Sequence, residues 1–316
     1  VILYGLERRS HRDLPIRLAE FGVVHRNEQS GALSGLLRVR TFTQDDAHLF
    51  TRPDQLKSEI ESTIRMYLEF YEPFGFARVK VGLSTRPEDR LGDDDAWDLA
   101  EGALSGALEA LDVPFEVHAG DGAFYGPKID FGIEDCIGRV WQCGTIQVDF
   151  QLPHRFDLEY IDEEGQKARP VMIHPATMGS VERFLAILVE HYAGRFPTWL
   201  APVQVAVLTV SDGSADYGAQ VVEELRAAGV RATLDASRER LGKKVFAARK
   251  MHPPYVVVVG QSEVDSQTLS VRTRDVADAT VVAPSNLAKH VCGEASERSA
   301  LPAAPDMATD GPEEDA

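Results

Sequence analysis

Phe42-Thr43-Gln44-Asp45-Asp46-Ala47-His48-Leu49-Phe50 reads as one extended strand, and it decides what kind of sheet this chain builds. Successive side chains of a strand point to opposite faces, so residues 42, 44, 46, 48 and 50 share one side. That side collects two aromatic rings, an amide, a carboxylate and an imidazole, a poor recipe for a core and a good one for a binding floor. Just before it, His25-Arg26-Asn27-Glu28-Gln29-Ser30-Gly31 sets Arg26 and Glu28 two residues apart, on one face if extended, with a flexible turn at once after. Arg38 and Arg40 on the returning segment share a face by the same period. They could grip phosphate through bidentate hydrogen bonds, while cross-strand ion pairing is the plainer role for the same charges.

Outward from this hairpin, residues 3–20 mix apolar and polar side chains in a helical pattern interrupted at Pro15, and residues 21–28 and 35–50 read as extended. Helices are expected over 54–71, 94–111 and 181–193, and strands over 77–83, 115–118, 128–133 and 140–150. So many strands with few parallel crossovers predict an antiparallel sheet with helices packed on it. At Phe196-Pro197-Thr198-Trp199-Leu200-Ala201-Pro202 two prolines break the pattern. Strand and helix then alternate over 203–210, 216–228, 230–235, 241–250, 255–260 and 269–273, the pattern of a compact α/β domain. From residue 293 onward alanine, proline and acids dominate, with almost nothing to bury. The expected organisation is residues 1–199, residues 200–292, and an acidic disordered tail over 293–316.

With 44% hydrophobic and 26% charged residues, the 316-residue chain is neither fibrous nor disordered as a whole. No stretch reaches the roughly 18 apolar residues a membrane span needs, and no signal segment opens the chain. Cys136, Cys143 and Cys292 are too few and scattered for a disulfide framework. These features predict a cytoplasmic protein with no membrane partner. A net charge of −17 excludes a general basic surface for nucleic acid. The charge is uneven, at −12 over residues 1–199, +1 over 200–292 and −6 over 293–316. Any polyanion must be met by a local cluster, and Arg238, Arg240, Lys243, Lys244, Arg249 and Lys250 supply one.

Other segments carry polar groups in unusual places. Val171-Met172-Ile173-His174 ends an apolar run on a second histidine; alone it is more often a core residue, but two strand histidines with a third ligand would suit zinc. Gly120-Asp121-Gly122-Ala123-Phe124-Tyr125-Gly126-Pro127-Lys128 is a glycine-punctuated loop ending in a lysine, and Trp141-Gln142-Cys143-Gly144-Thr145-Ile146-Gln147 places polar groups inside an aromatic and aliphatic strand. Gly179-Ser180-Val181-Glu182-Arg183 opens a helix with small residues and an arginine one turn in, a setting that favours anions.

Taken in order, these segments resemble the threonyl-tRNA synthetases, a family of class II aminoacyl-tRNA synthetases. HRDLPIRLAEFG, HRNEQSG, FTQDDAHLF, GAFYGPKIDF, WQCGTIQVDF, PVMIH, GSVERF and FPTWLAPVQV run in sequence between residue 1 and about residue 274. The resemblance implies an α+β fold: a class II antiparallel catalytic sheet flanked by helices, present in part over 1–199, followed by a small α/β anticodon-binding domain over 200–292. It implies a threonine–tRNA ligase, which activates L-threonine with ATP to threonyl-adenylate and transfers it to tRNA(Thr). Arg26 then matches the arginine that stabilises the ATP α-phosphate and Arg183 the one directed at the far phosphates, the two catalytic positions. Glu28 is expected near adenine, Phe42 stacked on it and Arg38 on ATP, with Mg2+ bridging the phosphates.

Gln44, Asp46, Tyr125 and Gln142 match positions around threonine, Asp46 being suited to its ammonium group, and Lys128, Gln147 and Ser180 carry over to the same pocket. His48 and His174 match two ligands of a Zn2+ that binds threonine through its amino and hydroxyl groups and so rejects valine. The family's third ligand is a cysteine expected just before Val1 and absent here. Also absent are the motif used in homodimer formation and the amino-terminal editing domain, so the chain reads as a carboxy-terminal piece. Glu263 and Arg272 match positions that read the anticodon. Ser34, Pro175, Thr177 and Asp275 depart from the family's usual residues. The rival reading is a synthetase-like paralogue that binds tRNA or threonine without full aminoacylation; retention of every matched ATP and threonine residue speaks for the enzyme.

Overall fold

The computed structural model describes residues 1–303 and 305, except 77, 136 and 277. Cys136 and residues 304 and 306–316 of the expected tail therefore lie outside the described residues. The chain divides into two compact units, Val1–His191 and Tyr192–Ala316.

The first unit runs α1 (Ile2–Gly5), β1 (Arg9–Ser10), β2 (Ile16–His25), β3 (Thr41–Thr51), α2 (Leu56–Tyr71), β4 (Val79–Ser84), α3 (Asp94–Ala110), β5 (Glu116–His118), β6 (Lys128–Glu134), β7 (Val140–Asp149), α4 (Gln151–Arg155), β8 (Tyr160–Ile161), β9 (Lys167–Ala168), β10 (Val171–Ala176) and α5 (Val181–His191). Its main sheet has the strand order β2-β3-β10-β7-β6-β4-β5. Every pairing is antiparallel, as expected, except that of β5, which lies parallel to β4 at the edge of the sheet. Alternation along β6 shows how the faces divide. Ile129, Phe131 and Ile133 are fully buried, while Lys128 and Asp130, alternating with them, turn the other way. The buried side meets Leu56, Ile60, Ile64 and Tyr67 of α2 and Leu104 and Leu108 of α3, apolar residues spaced three to four apart. Each such side chain contributes about 1.5–3 kcal/mol on burial. The other face is left for polar groups.

Two expectations for this unit are corrected. Residues 3–20 do not form a helix: α1 stops at Gly5, and Ile16–His25 is an edge strand. It pairs residue for residue with β3, from Ile16 opposite Phe50 to His25 opposite Thr41, and Arg17 makes a bidentate ion pair with Glu59 on α2. An unbroken ladder outweighs a local helical pattern, and an edge strand exposed to water does not need strict polar alternation. Phe50 is no part of a binding floor. It is fully buried and stacks on Tyr4 at 4.6 Å, in a cluster with Leu14, Leu158, Tyr160 and Met172.

The second unit contains β11 (Val205–Thr209), α6 (Ala215–Ala227), β12 (Ala232–Asp235), α7 (Leu241–Lys250), β13 (Tyr255–Val259), α8 (Gln261–Ser266), β14 (Leu269–Thr273), β15 (Ala279–Val282) and α9 (Pro284–Glu297). The strand order is β12-β11-β13-β14-β15, parallel across the first three and antiparallel across the rest. Valines of β11 and β13 pack on α6 and α9 through Val221, Leu225, Leu287 and Val291. Helix α9 continues past residue 293, where the disordered tail was expected to begin. The acid at 294 is a buried partner: Glu294 accepts hydrogen bonds from Thr198 Oγ1, the Tyr255 hydroxyl and the Ala303 N–H. Composition alone counts it as a solvated charge. Lys244 is corrected for the same kind of reason. Only 2% exposed, it donates to the carbonyls of Thr209 and Asp235 at the ends of β11 and β12 and is no part of a basic surface.

Candidate active site

The polar face of the first sheet opens into a cavity of about 410 Å³. Strand β3 supplies its floor with Phe42, Gln44, Asp46 and His48, the set that alternation predicts without Phe50. The register that pairs Ile173 with Leu49 and Ala176 with Asp46 sets His174 opposite His48, and the two rings meet edge to face at 4.8 Å. On the next strand, Gln142 and Gln147 would face opposite sides by strict alternation. A register shift places Gly144 opposite Phe131 but Gln142 opposite Gly132, so Cys143 is an extra residue, and both glutamines reach the cavity. Tyr125, Lys128 and Ser180 complete this side.

Each polar side chain is held by a neighbour. The Tyr125 hydroxyl donates to Gln147 Oε1 at 2.6 Å. Asp130 accepts from Ser84 Oγ at 2.8 Å, from Lys128 Nζ through Oδ2 and from Gln142 Nε2 through Oδ1. Asp149, with a side chain 0% exposed, accepts His174 Nε2–H at 3.0 Å and, through its other oxygen, the N–H groups of Gln151 and Leu152. Burial, with His174 as a neighbouring charge, pushes the His48 imidazole below its ordinary value despite the opposing pull of Asp46, so it stays neutral at neutral pH.

The opposite flank is cationic. The Arg26 guanidinium lies 5.1 Å from the Phe42 ring centroid, and Arg38, Arg183 and Glu28 line the same cavity. Arg38 forms a two-pronged ion pair with Glu28, at 2.9 and 3.1 Å, so the plainer role holds while the pair stays at the cavity. Arg40, expected on the same face, donates to the Glu28 carbonyl and does not line the cavity. Arg183 Nε donates to the Leu37 carbonyl at 2.8 Å and its Nη1 to the Gln142 carbonyl at 2.9 Å. Burial lowers its pKa from the ordinary arginine value, and Arg38 and Arg26 lower it further. A bound anion relieves that strain.

The loop ahead of α5 rests on residues to which the sequence assigned no role. Asp45 points away from the cavity and accepts the N–H groups of Thr177, Met178 and Gly179 at 2.8–2.9 Å. Glu182 accepts the Thr43 N–H, and although burial alone would raise its pKa, the backbone and Ser180 hydrogen bonds hold it below the usual carboxylate range. Gly179 has φ of +72°, and a Cβ there would sit 2.3 Å from the Cys143 carbonyl oxygen. Gly179→Ala is expected to destabilise the unit by about 2–4 kcal/mol through left-handed strain and the backbone clash. A thermal melt should show a drop of roughly 5–15 °C.

Among the described residues no group of three or more His, Cys, Asp or Glu side chains is assembled to hold a metal ion. His48 and His174 do converge, and the Asp149 carboxylate behind His174 is the usual partner of a metal-binding imidazole. The pair fits two positions of a tetrahedral zinc set. Cys143 also lines the cavity, and burial pushes its thiol up to about 12.

A family model for the class II tRNA synthetase core domain (G, H, P, S and T) matches residues 1–192, and a model for the anticodon binding domain matches residues 204–292. The solved RNA-binding domain of threonyl-tRNA synthetase from Cryptosporidium parvum Iowa II has a TM-score of 0.88 at 40% identity, over 92% of this chain and 74% of that one. The chain belongs to the threonyl-tRNA synthetase family. Threonine–tRNA ligases of Carboxydothermus hydrogenoformans and Clostridium tetani are 52% and 50% identical to it over 278 residues. That is 88% of this chain but 44% and 43% of theirs, so it spans less than half the length of these curated relatives.

In the anticodon-binding unit of this synthetase-family chain, Glu263 and Arg272 lie toward different ends of β13. Arg272 is exposed on β14 opposite Val256, near the start of β13. Glu263 follows its far end and accepts the Gly260 N–H at 2.8 Å, capping α8. The structure does not bring the two together. No helix among the described residues is long and apolar enough to cross a membrane.

Proposed function

We propose that the chain carries the catalytic and anticodon-reading parts of a threonine–tRNA ligase, acting on ATP, L-threonine and tRNA(Thr). The observation that carries this is the division of one cavity into two flanks. Phe42 and His48 lie six residues apart on one strand, about 20 Å at some 3.3 Å per residue. Near Phe42 stand Arg26, Arg38 and Arg183; near His48 stand His174, Asp46 and Tyr125. The first flank suits a stacked adenine and a triphosphate, the second a small zwitterion.

In the first step a threonine carboxylate oxygen attacks the α-phosphorus, forming the acyl phosphate bond while the bond to pyrophosphate breaks. Arg26 neutralises charge at the α-phosphate and Arg183 at the departing pyrophosphate, work of positioning and electrostatics. Asp46 holds the ammonium, and Gln142 and Tyr125 orient the rest of the amino acid. In the second step a ribose hydroxyl at the tRNA end attacks the threonyl carbonyl and AMP leaves. Magnesium, when bound, would neutralise phosphate charge at the flank lined by Arg26, Glu28, Arg38 and Arg183. Zinc, when bound, would be held by His48 and His174 and would supply a Lewis acid selective for the threonine amino and hydroxyl groups. A homodimer and a cytoplasmic address are part of the same proposal.

Threonine-dependent exchange of pyrophosphate into ATP tests the reading, with valine as the competing amino acid. Exchange supported by threonine and at least about 100-fold slower with valine is the expected result, since a site built to ligate a hydroxyl is left unsatisfied by a methyl group. Binding of ATP and threonine without any exchange would replace the ligase by a binding protein.

A further inference from the structure

Helix α7 leaves one long face in water. Lys244 and Ala248 are buried, and Leu241 and Val245 join them against Ala206, Leu208 and Val256. Lys243, Phe246, Arg249 and Lys250 point outward instead. Phe246 is 61% exposed, and Lys250 Nζ lies 4.6 Å from its ring centroid. Arg249 is three residues on from Phe246, a neighbour on the helix surface.

A single exposed phenylalanine is ordinary. This one sits on a helix that carries no acidic residue, in a chain whose net charge is −17. Its neighbour Arg249 also lines a cavity of about 340 Å³ together with Arg272, His252 and Arg274. Asp275, at the same cavity, is engaged by Arg195. An aromatic ring with a cation over one side, one helical turn from an arginine that lines a hollow shared with other arginines, is an arrangement that holds an unpaired base by stacking and its flanking phosphates by charge.

We infer that the α7 face is an RNA contact in which Phe246 stacks on an unpaired base of the tRNA while Arg249 and Lys250 take the neighbouring phosphates. Lys250 covers one side of the ring and the base takes the other. The inference rests on the tRNA-ligase reading and extends it from the surface around Arg272 to the outer face of α7.

The test is fluorescence anisotropy of the whole chain with tRNA(Thr) transcript, with its anticodon stem-loop, and with a blunt RNA duplex of equal length, over a range of salt. Phe246→Ala should weaken tRNA and stem-loop binding about 5- to 150-fold, the span that loss of one stacked base produces, and leave the duplex unchanged. Phe246→Trp should restore binding. The salt slope should stay the same in Phe246→Ala and fall by about one in Arg249→Gln, which removes one phosphate contact. Wild-type binding by Phe246→Ala, or an equal loss on the duplex, overturns the stacking contact alone. Failure of the wild-type chain to bind tRNA overturns the ligase reading beneath it.

Discussion

Replacing Arg183 by alanine is expected to slow threonine-dependent pyrophosphate exchange by about 10²–10³-fold, the loss typical when one preorganised donor to a developing charge is removed. The side chain is not free to find its ligand on arrival. Its Nε and Nη1 are anchored on the Leu37 and Gln142 carbonyls, which fixes the guanidinium plane before any nucleotide enters. It is half-buried, and Arg38 and Arg26 lower its pKa further after burial has done so. Three arginines around one cavity repel each other, so a polyphosphate gains on binding what the empty site loses. Arg183→Lys should recover little, because an ammonium cannot span two carbonyls and still present a flat edge to phosphate. The alanine variant should melt at the wild-type temperature or a few degrees below it, since relief of the repulsion offsets the loss of the two hydrogen bonds to the Leu37 and Gln142 carbonyls. If exchange falls less than about threefold with ATP saturating, Arg183 has no role in charge stabilisation and the cavity's cationic flank must be reassigned.

How much of this site could be read from the chain depended on whether one strand's period carried the information. Phe42, Gln44, Asp46 and His48 share a face by simple alternation, and that face is the cavity floor. Gln142 and Gln147 defeat alternation because Cys143 bulges, and no composition rule announces a bulge. Residues 16–20 looked helical because an edge strand tolerates Arg17 and Glu20 on either face, whereas residues 21–25 read as extended; the partner strand, β3, set the outcome. The supporting carboxylates were the least legible. Asp45, Asp130, Asp149 and Glu182 act on groups 132, 46 and 12, 25, and 139 residues away, separations at which a sequence offers no signal; only Lys128, two residues from Asp130 on the same strand, was within reach of alternation. Glu294 and Lys244 show the same limit in the second unit: each looks like surface charge until the fold supplies buried partners for it.

Asp149 is where such a hidden residue should matter most. Asp149→Ala would leave two backbone N–H groups at the start of α4 and one imidazole N–H without their buried acceptor. Breaking a buried, charge-assisted network in this way costs about 3–5 kcal/mol, and a thermal melt should fall by roughly 6–20 °C. Asp149→Asn separates structure from tuning. The amide oxygen can still accept from Gln151 and Leu152, so most of the stability should return, but its NH2 group donates where a carboxylate accepted. With Asp149 intact, His174 must present Nε2–H to it, and its Nδ1 lone pair is the one left for a ligand. In the asparagine variant that tautomer loses its support, and zinc affinity measured by chelator competition should drop about 10- to 100-fold while the melt stays within a few degrees of wild type. Unchanged zinc affinity in a stable Asp149→Asn protein would mean that the carboxylate serves only to cap α4. Equal losses of stability and zinc in both variants would mean the same, because a capping role alone predicts that the two readouts move together.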